Sequence, residues 1–154
     1  MDSMHSDDDL RARLAAARRI AVLGAHPDPT KPASYVPSYL YEHGYHVLPA
    51  NPVHVGRVLW SEPVRATLAE IGPPIDIVDV FRRSALLEGH LDDILAVRPR
   101  LVWLQSGIRN DAFARRLERE RIAVVQDRCI MVEHRRLLGA SGTVQGGSEP
   151  SFDL

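Results

Sequence analysis

Two rhythms alternate along the chain. Short runs rich in apolar and β-branched residues fall at Ile20–Leu23, Tyr45–Leu48, Ile75–Val80, Leu101–Gln105 and Ile122–Val125, and each reads as a strand. Between them apolar residues recur every three or four positions, the spacing of one helical face. Ser6, followed by Asp7, Asp8 and Asp9, caps a first helix that buries Leu10, Leu14 and Ala17. A second helix runs from Tyr35 to His43 and stops at Gly44. Ser61 opens a third, with Pro63 in its first turn and Val64, Leu68 and Ile71 on one face, until Gly72-Pro73-Pro74 breaks it. Ser84 caps a fourth (Leu87, Leu91, Ile94, Leu95), Asn110 a fifth (Phe113, Leu117), and Ile130 to Leu138 makes the last.

Strands that alternate with helices at this spacing form parallel β–α–β units with right-handed crossovers. The predicted class is α/β: a Rossmann-like open parallel five-stranded sheet, order 3-2-1-4-5, with helices on both faces. Its ligand belongs at the switch point between the first and fourth strands. Residues 7–138 make this one domain; residues 1–6 and the Gly- and Ser-rich stretch 139–154 are predicted to be disordered tails.

The first strand–loop–helix unit carries the densest chemistry. Gly24 ends the strand, and Pro27, Pro29 and Pro32 stiffen a loop that holds Lys31, the only lysine in the chain. Ser34 is the expected N-cap, and Pro37 is expected in the first helical turn, where its missing N–H does no harm. A strand, a glycine turn and a helix N-terminus aim backbone N–H groups and a positive dipole end at an anion. The glycine fingerprint of dinucleotide-binding proteins is absent, since no glycine lies two or five residues after Gly24.

Composition narrows the choice of partners. A chain of 154 residues suits one domain, and 45% hydrophobic with 25% charged residues reads as a soluble globular protein. A net charge of −1 leaves no electrostatic footprint for nucleic acid, and no apolar run reaches the length of a membrane span. The lone Cys129 cannot form an intramolecular disulfide, which fits a reducing cytoplasm. Cys129, Glu133 and His134 are the nearest approach to a nucleophile, acid and base, but their spacing at a helix start turns them in different directions. The histidines lack metal-ligand spacing, so neither a catalytic nor a metal site is predicted.

Five segments in order resemble one family. They are Ala21-Val-Leu-Gly-Ala-His-Pro-Asp-Pro-Thr-Lys-Pro-Ala-Ser34, Gly44-Tyr-His-Val-Leu-Pro-Ala-Asn-Pro52, Asp76-Ile-Val-Asp-Val-Phe-Arg-Arg83, Val102-Trp-Leu-Gln-Ser-Gly-Ile-Arg-Asn110 and Val124-Val-Gln-Asp-Arg-Cys-Ile-Met-Val-Glu-His134. The chain is similar, over about residues 10–138, to the stand-alone bacterial CoA-binding domain proteins. These are single-domain relatives of the CoA-binding domain of the succinyl-CoA synthetase alpha subunit. Ala50 departs from the family's more usual valine in the Pro-Val-Asn-Pro turn.

The resemblance implies CoA, or an acyl-CoA, lying across the carboxyl ends of the strands. Its phosphates would meet Gly24, Ala25, His26, Pro27, Thr30, Lys31 and Ser34, and its adenosine would meet Asn51, Pro52 and Val53. Phe81, Arg82 and Arg83 would pack on the adenine or phosphate region, and Gln105, Gly107 and Ile108 would line the path toward pantetheine. The residue types agree. Lys31 is a point charge, Thr30 and Ser34 are donors, and no acid follows the second strand until Glu62, with Arg57 nearby. Each also has a plainer role: Asn51 as a turn former, Phe81 as core, Arg82 and Arg83 as partners of Asp79 or of surface acids.

No independent catalytic activity is expected, because the phosphohistidine of the larger synthetases lies in a further domain. The expectation is a CoA-binding module, with a protein partner left open. The alternatives are a small NADP-binding oxidoreductase and the CoA-binding subunit of a split acyl-CoA ligase.

Overall fold

The computed structural model describes residues 5–139; the remainder of both expected tails lies outside the described residues. His5 and Ser6, assigned above to the N-terminal tail, are tied in. The His5 ring bridges Asp9 and the Val124 carbonyl, and Ser6 Oγ accepts from the Asp9 N–H. Helix α1 (Asp7–Ala16) follows with Leu10 and Leu14 buried.

The parallel five-stranded sheet is present. Its strands are β1 (Arg19–Leu23), β2 (His46–Ala50), β5 (Ile77–Val80), β6 (Leu101–Leu104) and β7 (Ala123–Val125), each near its predicted run. Their spatial order is β2-β1-β5-β6-β7, which in predicted numbering is 2-1-3-4-5 rather than 3-2-1-4-5. The third predicted strand therefore pairs with the first, Val22 lying opposite Asp79, and the switch point falls between β1 and β5.

Proline explains why β2 is an edge. His46 N–H donates inward to Arg18 O, whereas Asn51 N–H donates outward to Arg65 O. By alternation Pro49 lacks its N–H on the outer side, where no continuous ladder runs. Placed second from the edge, Pro49 would break a ladder.

Both sheet faces are covered. One carries Ala21, Leu23, Val78, Val80, Val102 and Leu104 against α3 (Leu68–Ile71), α4 (Leu91–Val97) and α5 (Asp111–Arg119). The other carries Ile20, Val22, Ile77, Leu101 and Trp103 against α1, α2 (Pro32–Glu42) and α6 (Ile130–His134). Asp79 points into this second face. It is fully buried, and neither carboxyl oxygen has a hydrogen-bond partner among the described residues. Of the plainer roles for Arg82 and Arg83, pairing with Asp79 is therefore absent among the described residues.

Three helix starts differ from expectation. Residues after Ser61 form not a helix but a hairpin, β3 (Val58–Leu59) with β4 (Glu62–Pro63), turning through Trp60 and Ser61 at positive φ. The helix is only the short α3, capped by Thr67, whose side chain accepts from the Glu70 N–H. Ser84 opens a 3-10 turn, Ser84–His90, and its Oγ accepts from the Arg109 N–H. Helix α2 begins at Pro32, so Ser34 lies in its first turn rather than at the cap. Pro37 lies inside the helix, and the Ala33 carbonyl that its missing N–H would have met accepts from His26 N–H at 3.3 Å. The proline break thus becomes a brace between the first loop and the helix.

Candidate functional site

The four groups of residues singled out in the sequence all follow the carboxyl ends of β1, β2, β5 and β6. Pairing of those strands sets them along one rim.

At the centre, β1 and β5 come closer than a side chain permits. Gly24 has φ +94°, and a Cβ there would sit 2.7 Å from Phe81 O and 3.2 Å from Arg82 Cδ. Arg82 therefore lies directly over the glycine turn, and its Nε donates to His90 Nε2 at 3.3 Å. Gly24→Ala forces both a left-handed alanine and a clash with backbone. It should cost at least about 2 kcal/mol, lowering Tm by roughly 4–8 °C for a domain of this size. An unchanged melting curve would show that the two strand ends separate freely.

Around Gly24 the first loop is internally braced. Asn51 Nδ2 donates to Ala25 O at 2.9 Å, and its Oδ1 accepts from Val53 N–H, so its side chain is spent joining the β1 and β2 ends. Asp28 Oδ1 accepts from both the N–H and hydroxyl of Thr30, and these bonds hold its carboxyl below the ordinary range. Lys31 is different. It caps α2 by backbone position, is exposed, and its ammonium has no hydrogen bond or ion pair among the described residues. Ser34 is buried just inside the helix, Pro27 is half-buried, and Pro52 and Val53 are exposed, Val53 at 79%.

Farther along the rim, Phe81 is half-buried against the second core face and Arg83 is exposed. Gln105 is buried, its Oε1 accepting from Ile130 N–H at the start of α6. Gly107 N–H donates to Asp127 Oδ1 at 2.7 Å, and Ile108 is in the core. Asn51, Gln105 and Ile108 are thus turned inward as supports, whereas Lys31, Arg83, Pro52 and Val53 face outward.

One residue absent from the sequence reading joins the rim. His54 follows β2, and its ring meets that of His26 edge-on at 4.8 Å between centroids. Burial, His26 and Arg57 lower its pKa. The two histidines are far apart in sequence and become neighbours only through the register that sets Leu23 opposite Ala50. A cavity of about 170 Å³ lies elsewhere, beside the outer edge of β2, where His46 is bonded to Glu62 at 2.6 Å.

The possible nucleophile set does not assemble. His134 is buried, its Nδ1 hydrogen-bonded to the Tyr39 hydroxyl, and burial with nearby His43 pushes its pKa down to about 4. Glu133 pairs with Arg136, and Cys129 packs against the second core face. Cys129→Ser should leave ligand affinity within about threefold, a difference of roughly 0.65 kcal/mol. A larger loss by calorimetry would place the thiol in the site. No group of three metal-ligating side chains occurs among the described residues.

This parallel sheet, covered by helices on both faces and carrying a charged, glycine-turned rim at its switch point, is a Rossmann-like α/β fold. Residues 18–135 match the family described as CoA binding domain, and the chain belongs to that family. The Bacillus subtilis uncharacterized protein YneT is 33% identical over 84% of this chain and 94% of its own. A solved structure from Thermus thermophilus is 55% identical, with a TM-score of 0.84 over 86% of this chain and 98% of that one. A hypothetical protein from Pyrococcus horikoshii is 30% identical, with a TM-score of 0.81 over 90% of this chain and its whole length. Among the described residues, no helix is long and apolar enough to cross a membrane.

Proposed function

We propose that this protein binds CoA or an acyl-CoA across the carboxyl ends of β1, β2, β5 and β6, as a binding module. The observation that carries the reading is the family match over residues 18–135. The donor set fits the ligand. Lys31, Arg57, Arg82 and Arg83 give the rim cationic chemistry, and the nearby Asp28 carboxylate is already engaged by Thr30. The missing Cβ of Gly24 lets the end of β5 close on the β1 turn, which brings the Arg82 side chain over that turn.

In this reading Lys31 and the N-terminus of α2 hold the diphosphate, with Ala25, His26, Pro27, Thr30 and Ser34 shaping the loop around it. Asn51 fixes the floor on which Pro52 and Val53 meet the adenosine. Arg82 and Arg83 serve the charged side, Phe81 packs beneath, and Gln105, Gly107 and Ile108 form the wall toward pantetheine. CoA itself supplies a thiol, or a thioester when acylated.

Native mass spectrometry of the protein mixed with equimolar CoA and NADP tests the reading. A one-to-one CoA adduct is expected. An NADP adduct alone would overturn it.

A further inference from the structure

We propose that His26 and His54 together form a receptor for a phosphate monoester on the ligand's ribose, the 3′-phosphate that distinguishes CoA from dephospho-CoA. The inference rests on the CoA reading and adds to it a specificity determinant sensitive to pH.

The pair sits where a ribose substituent belongs. In dinucleotide sites the residues just after the second strand face the adenosine ribose, and an acid there accepts from a free hydroxyl. Here Ala50 is followed by Asn51, Pro52, Val53 and His54, with no acid before Glu62. An acid would repel a monoester dianion, whereas an imidazole attracts it once protonated.

His26 is held ready to donate. Asp28 N–H donates to its Nδ1 at 3.0 Å, so the neutral ring carries its proton on Nε2. Its backbone N–H is fixed to Ala33 O, which locks the residue to α2. His54 is anchored on the neighbouring strand end, and its carbonyl accepts from Arg57 N–H at 3.1 Å.

The charges around the pair are Asp28 and Lys31 from the first loop and Arg57 from the second. Burial, then His26 and Arg57, resist protonation of His54 in the free protein. A bound dianion reverses that balance, because it favours the charged form of the His54 ring, while His26 donates from Nε2. Ligand binding is therefore accompanied by proton uptake, and lower pH strengthens it.

The test is calorimetry of CoA and dephospho-CoA at pH 6.5 and 8.0, in two buffers of different ionisation enthalpy, with wild-type protein and His54→Gln. Wild-type protein should prefer CoA by about tenfold at pH 6.5 and by less at pH 8.0. It should take up protons with CoA and none with dephospho-CoA. His54→Gln should bind both ligands within about twofold of each other, a difference of roughly 0.4 kcal/mol, with dephospho-CoA affinity unchanged. Equal wild-type affinities for the two ligands would overturn the receptor while leaving the CoA reading intact. A preference that survives in His54→Gln would do the same. Failure of the wild type to bind either ligand would remove both.

Discussion

Asp79→Asn should make the protein more stable at neutral pH than the wild type and abolish a decline in stability that begins in mild acid. Asp79 is fully buried on the central strand β5, without a hydrogen-bond partner among the described residues. Burial therefore raises its pKa well above the ordinary 3.8. The sign follows from proton counts. Between 3.8 and the folded value, the native carboxyl holds a proton that the unfolded chain has released. Rising pH then favours unfolding, by up to about 1.4 kcal/mol per pH unit. Stability linked to this group is full below 3.8 and is lost as pH rises toward the folded pKa, beyond which the loss stops growing. Asparagine keeps the shape without an ionisable proton. Urea denaturation from pH 4 to pH 8 should show the decline in the wild type and its absence in Asp79→Asn. Parallel curves would mean that Asp79 is solvated or paired.

Lys31→Ala should weaken CoA by roughly ten- to a hundredfold, since a charge-assisted contact is worth about 1.5–3 kcal/mol. The folded state should hardly notice, because the exposed ammonium has no partner among the described residues. The salt dependence of binding should flatten with the lost charge. Dephospho-CoA separates the two ends of the ligand. If Lys31 serves the diphosphate, as its place at the start of α2 argues, both ligands weaken alike. Loss confined to CoA would move Lys31 to the 3′-phosphate, and unchanged affinity would remove it from the site.

The sheet was legible because each strand is a short apolar run between capped or glycine-ended helices. Its order was not read, although Pro49 carries the signal for an edge strand and needed only to be weighed against the topology. The hairpin at Val58–Pro63 was hidden for another reason. Its turn uses Trp60 and Ser61 at positive φ, where glycine or asparagine normally announces such a turn. Asp79 was read only as a partner for neighbouring charges, because Asp76 and Asp79, three residues apart, fall on opposite faces of the strand and the pattern does not mark which of them is buried. Asp76, just before the strand, is half-buried and accepts from the Arg18 and Arg19 N–H groups.

Within the candidate site, the glycine turn and Lys31 were readable from local sequence. The bracing of Asn51 to Ala25, of Gln105 to α6 and of His26 to α2 was not, since each joins segments distant in the chain. The same holds for His54, which sequence gives no reason to couple to His26.

Hydrogen exchange in free and CoA-saturated protein tests the central claim most directly. Binding at the rim should slow exchange of backbone amides in residues 24–35, 51–57, 81–84 and 105–109, leaving the starts of β1 and β2 unchanged. Protection confined to the starts of those strands, or around the cavity by His46 and Glu62, would contradict a CoA site at the carboxyl ends.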